Sequence, residues 1–93
     1  MKSEAQIQAE IIKWLQKNHI PVWRISETKN LIGFPDLLTI VPTTGQFVGI
    51  EVKTESGYVS SIQAVVHKII QEAKGRVIIA RSLEDVVNVF NQA

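Results

Sequence analysis

Residues 34–53 read Phe-Pro-Asp-Leu-Leu-Thr-Ile-Val-Pro-Thr-Thr-Gly-Gln-Phe-Val-Gly-Ile-Glu-Val-Lys, and the reading of this stretch decides the fold. Leu37 to Val41 and Phe47 to Lys53 are strand-like apolar runs, with a turn signal, Pro42-Thr43-Thr44-Gly45, between them. Strands joined by so tight a turn pair antiparallel. Charges are rare on core strands, because burying them unpaired is costly. Yet Asp36 opens the first strand and Glu51 and Lys53 lie on the second, with fourteen residues between Asp36 and Glu51. Glu51 and Lys53 are two apart and therefore share a strand face. Two carboxylates joined by a hairpin can chelate a hard divalent cation such as Mg²⁺, which prefers oxygen ligands and shares its shell with phosphate oxygens. Such an ion activates water and stabilises charge on phosphorus. A lysine on the same face can hold the attacking water or offset phosphate charge.

Working outward, Ser3 is placed to cap a helix whose apolar positions are Ile7, Ile11, Trp14 and Leu15, and which ends at Asn18-His19 before Pro21. On a helical wheel Glu4 falls inside that stripe, so it is a third carboxylate that this helix can bring to the site. Val22-Trp23-Arg24-Ile25 reads as a strand, and 26–33 as a polar loop containing Lys29, Asn30 and Gly33. After Lys53, residues 54–58 form a turn. Ser60 or Ser61 caps a second helix with Ile62, Val65, Val66, Ile69 and Ile70 as apolar positions, closed by Lys74-Gly75. Arg76 to Ala80 is a nearly all-apolar strand, and Ser82 caps a last helix from Leu83 to about Asn91. The order α-β-β-β-α-β-α predicts an α/β fold. The Phe47 and Arg76 strands, linked through a helix, run parallel, giving a mixed central sheet flanked by helices on both faces.

At 93 residues the chain makes a single domain, 1–93, with one core. No apolar run is long enough to span a membrane, and the N-terminus lacks a secretory signal. Cysteine is absent, which excludes disulfides and thiolate metal sites and fits an intracellular (cytoplasmic, or host-cell cytoplasmic if phage-encoded) setting. Ten basic against nine acidic residues leave a net charge of +1, so nucleic acid would have to be held by locally arranged Lys and Arg rather than by bulk charge.

The constellation resembles the PD-(D/E)XK nuclease superfamily, here Pro35-Asp36 followed by Glu51-Val52-Lys53, whose restriction-endonuclease-like core has the same element order. More narrowly it is similar to the VRR-NUC family in its small stand-alone form. The matching features are Glu4 with Gln8, Trp14-Leu15, Val22-Trp23-Arg24, Gly33 to Leu37, Ile50 to Lys53, and Ser60 with Gln63. The resemblance implies a Mg²⁺- or Mn²⁺-dependent DNA endonuclease whose metal is held by Asp36, Glu51 and the Val52 carbonyl, with Glu4 as the family's first-helix acid. It implies Lys53 as catalytic lysine and Gln63 as the glutamine beside the site. Stand-alone members resemble Holliday junction resolvases and act as homodimers on four-way junctions. Many relatives carry several glycines and basic residues before the proline-aspartate, where this chain has only Lys29 and Gly33.

Plainer readings stand beside these. Asp36 could simply open a strand, and Glu51 and Lys53 could lie on a solvated face. A first-turn acid such as Glu4 is favoured by the helix dipole alone, and Gln63 could be an ordinary surface residue. Arg24 and Lys29 are either phosphate contacts or solvated charges. His19 and His67 have no partner pattern and are expected in structural places. Trp14 and Trp23 are expected in the core or at a dimer contact, not as base-stacking platforms. The competing functions are a nicking or flap-type nuclease and a catalytically inactive DNA-binding module of the same fold.

Overall fold

The short turn between the two central strands fixes the register on which everything else depends. In the computed structural model, which describes residues 1–25 and 31–91, Val41 donates to the Gln46 carbonyl and Gly45 to that of Val41. Gly45 adopts φ +77° there, a left-handed conformation that glycine takes without steric cost. The strands that follow are β1 (Val22–Arg24), β2 (Leu37–Ile40), β3 (Phe47–Val52) and β4 (Arg76–Ala80), arranged β1-β2-β3-β4 in one sheet. The first two pairings are antiparallel and β3–β4 is parallel. Helices α1 (Glu4–Lys17), α2 (Ser61–Glu72) and α3 (Leu83–Asn91) complete the expected α-β-β-β-α-β-α order.

Strand alternation sorts the residues onto two faces. Leu37, Val48, Ile50, Val52, Ile78 and Ala80 point one way and pack with Ile7, Ile11 and Leu15 of α1 and Val86 of α3. Full burial of such side chains contributes about 1.5–3 kcal/mol each, so this is where most of the fold's hydrophobic stabilisation lies. The buried Thr39 on the same face is satisfied by donating its hydroxyl to the Val48 carbonyl at 2.9 Å. The other face carries Asp36, Gly49, Glu51 and Lys53, and α2 lies over it.

Helix ends follow local chemistry. Ser3 with Gln6 and Ser60 with Gln63 each form a capping box, resolving the choice between Ser60 and Ser61. Both α1 and α2 end in Schellman motifs: Ile20 donates to Leu15 and His19 to Gln16, and Gly75 donates to Ile70 and Lys74 to Gln71. The left-handed residues are His19 (φ 58°) and Lys74 (φ 75°), so the terminator of α2 is Lys74 and not the expected Gly75. Gly75 matters for space instead, since a Cβ there would meet Ile70 Cγ2 at 2.7 Å. The apolar positions of α2 also depart from a simple inward stripe. Ile62, Val65 and Ile69 are more than half exposed, while the polar Gln63 and His67 face the sheet. Among the described residues no helix is long and apolar enough to cross a membrane.

Candidate active site

The β2–β3 register places Leu37 opposite Ile50, and one further step along the ladder sets Asp36 opposite Glu51 on the α2-facing side of the sheet. Pro35 is buried just before Asp36, against Gly49, where a Cβ would meet the proline ring at 2.6 Å. The glycine in the middle of β3 therefore makes the room that seats the proline-aspartate. Asp36 Oδ2 accepts from the Val52 backbone N–H at 2.8 Å, which ties its carboxylate to the strand that carries Glu51.

Glu51 is buried at 2% exposure. Its Oε2 accepts from Gln63 Nε2 at 3.1 Å and lies 3.7 Å from Lys53 Nζ. Gln63 has a second partner, because its Oε1 accepts from the Ser60 backbone N–H at 2.9 Å. One amide thus closes the α2 capping box with its oxygen and grips Glu51 with its nitrogen. A glutamate at this position could do only the first. His67, one helical turn further along α2, is 7% exposed, and its Nε2 lies 3.6 Å from Glu51 Oε1. Both of these facing atoms are buried without a hydrogen-bond partner. His67 was expected in a structural place without a partner. The packing of α2 sets it against Glu51 instead, without a hydrogen bond; the four-residue spacing puts Gln63 and His67 on one helix face, but does not say which face the sheet covers.

The electrostatics follow from this crowding. Burial, first, and the negative charge of Asp36, second, push the Glu51 carboxyl up to about 7, although Lys53 opposes the rise. Asp36 adds to it as a hydrogen-bond partner of the protonated form, and Glu4 contributes more weakly through its charge. Burial, followed by the Lys53 charge, moves the His67 imidazole down from its ordinary value, with Asp36 pulling the other way.

The remaining expected residues are placed as follows. Glu4 is the first residue of α1, exposed, and within electrostatic range of Glu51 without a hydrogen bond or ion pair of its own among the described residues. Arg24 pairs with Leu37 on the edge strand. Alternation sends its exposed side chain to the sheet face opposite Asp36, whereas Trp23 shares the face of Asp36 and is half exposed. Trp14 is partly buried against Phe90, with ring centroids 6.3 Å apart. Lys29 lies outside the described residues. One residue not singled out from the sequence also matters to the site's frame. Arg81 Nη1 donates to the carbonyls of Thr54 (2.8 Å) and Gly57 (2.5 Å), pinning the turn between Lys53 and the start of α2.

Two facing carboxyls, one of them raised by burial and by the charge of the other and with a buried oxygen left without a donor, form a donor set suited to a divalent cation. Among the described residues no three His, Cys, Asp or Glu side chains are gathered into a ready-made ion cage. A pair of carboxylates suits an ion that keeps several waters, as Mg²⁺ does.

No family model and no curated protein matches the chain. Two solved structures do. One, described as a VRR_NUC domain, is 24% identical, covers 95% of this chain and 94% of its own, and superposes with a TM-score of 0.79. The other, a VRR_NUC domain protein, is 17% identical, covers 98% and 87%, and gives a TM-score of 0.73. The chain therefore has the fold of these two VRR_NUC domains over nearly its whole length.

Proposed function

We propose that this chain is a VRR-NUC-type endonuclease that hydrolyses DNA phosphodiester bonds with Mg²⁺ or Mn²⁺. The observation that carries the reading is the pairing of Asp36 with Glu51 across the hairpin, with Lys53 beside Glu51 on the same strand face. Asp36, Glu51 and the Val52 carbonyl would hold the cation, with Glu4 as a further acid at the site's edge. The ion, when bound, supplies Lewis-acid polarisation of a phosphate oxygen and activates water. The residues do the rest. Lys53 is placed to orient the attacking water and to offset charge building on phosphorus. Gln63 holds the Glu51 carboxylate in orientation through Oε2, leaving Oε1 without a donor, the oxygen that would be free to hold a cation.

The substrate we infer is branched DNA, in particular a four-way junction cut by a homodimer. So small a chain covers little duplex, and two-fold symmetry in the protein matches paired cuts in the substrate. The half-exposed Ile62, Val65 and Ile69 on α2 offer apolar surface for a second copy to bury. We place the activity inside the cell. The test is a cleavage assay on junction, flap, nicked and linear DNA, with and without Mg²⁺ or Mn²⁺, alongside the molecular mass in solution. Asp36→Ala and Lys53→Ala should abolish cleavage while junction binding persists. A Lys53→Ala protein that cuts at the normal rate would sink the mechanism. Flap-only cleavage would replace junction resolution with a flap-type activity, and a strict monomer would count against paired junction cutting.

A further inference from the structure

We propose that His67 is a nitrogen ligand of the ion site, so that the site selects transition ions such as Mn²⁺ over Mg²⁺; this rests on the nuclease reading above. Glu51 presents its two oxygens differently. Oε2 is occupied by Gln63 and faces Lys53, whereas Oε1 is buried and has no donor. Oε1 is therefore the oxygen left for a cation. The buried polar atom that addresses it is His67 Nε2, itself without a partner, 3.6 Å away.

That separation is too long for a hydrogen bond. Buried polar atoms are nearly always paired, so two facing orphans call for an explanation. Two donors at ordinary bond lengths of about 2.0–2.2 Å from one ion sit roughly 3–3.5 Å from each other, so a small side-chain rotation brings these two onto a common cation. The helix turn that carries the imidazole is held in place. His67 follows Gln63 by one turn, and Gln63 is anchored at both ends, to Ser60 and to Glu51. Mg²⁺ takes oxygen ligands almost without exception, while imidazole nitrogen favours transition ions, so a nitrogen beside the carboxylates shifts the preference of the site.

The experiment uses the full chain without DNA. Pulsed electron paramagnetic resonance of the Mn²⁺-loaded protein should show coupling to a ¹⁴N nucleus, and His67→Gln should remove it. Calorimetric titration should find the Mn²⁺ affinity of His67→Gln lowered at least about tenfold, with the Mg²⁺ affinity nearly unchanged and the melting temperature close to wild type. Bound Mn²⁺ without nitrogen coupling in the wild-type protein would overturn the role of His67 and leave the nuclease reading standing. Equal losses of Mn²⁺ and Mg²⁺ affinity in the variant would overturn it likewise. Failure of wild type to bind Mn²⁺ at all would overturn both.

Discussion

Glu51→Gln should make the ion-free protein more stable at pH 8 while removing its capacity to bind the ion. The carboxyl of Glu51 is pushed from 4.5 up to about 7 by burial and by Asp36, and at about 1.4 kcal/mol per pH unit the ionised form costs the native state about 3 kcal/mol. The sign follows from proton counting. Below pH 4.5 the group is protonated in both folded and unfolded chains and contributes nothing. Between 4.5 and 7 the unfolded chain has lost the proton that the folded chain still holds, so stability falls as pH rises, and above 7 the full penalty applies. Glutamine has nearly the same shape, and its side-chain oxygen can still accept from Gln63. The gap between Glu51→Gln and wild type should therefore grow from about 1 kcal/mol at pH 5 to about 3 kcal/mol at pH 8. His67 titrates in the opposite sense, its lowered value withdrawing stability as pH falls through the ordinary histidine range, so the comparison is made between the two proteins at each pH. Urea unfolding at pH 5, 6, 7 and 8 in the presence of a chelator measures it. A gap that stays constant from pH 5 to 8 would refute the strained-carboxylate argument.

Gln63→Glu keeps the oxygen that caps α2 but replaces the donor lying 3.1 Å from Glu51 with a second oxygen. Ion-free stability at pH 8 should fall by about 1–3 kcal/mol, and added Mn²⁺ should restore it in a thermal melt. Gly49→Ala drives a methyl to 2.6 Å from the Pro35 ring; stability should drop by about 1–3 kcal/mol, and calorimetry should show weakened ion binding because Asp36 moves with its proline. Lys74→Gly relieves a left-handed lysine at the end of α2, and chemical denaturation should show a gain of about 0.5–1 kcal/mol with no change in ion affinity.

Much of the site could be read from the sequence because its parts are local. Asp36, Glu51 and Lys53 sit on two strands joined by one tight turn, so a single register brings them together without help from distant elements. The parity of Glu51 and Lys53 was legible for the same reason. His67 was not. Its distance from Glu51 is sixteen positions in sequence, through a turn, a helix cap and the packing angle of α2, and no local pattern encodes that path. The exposed Ile62, Val65 and Ile69 were hidden in the same way. A helical wheel reports which residues share a face, while the sheet decides which face is covered.

The sequence by itself determined the element order, the hairpin and the carboxylate pair, because periodicity, turn chemistry and strand alternation act over a few residues. Tertiary structure decided the state of that pair. Folding α2 over the sheet withdraws Glu51 from water, gives one oxygen to Gln63, and sets the other against His67. Burial of a charge depends on every element around it, and that is why the strain at Glu51 appears only in the folded chain.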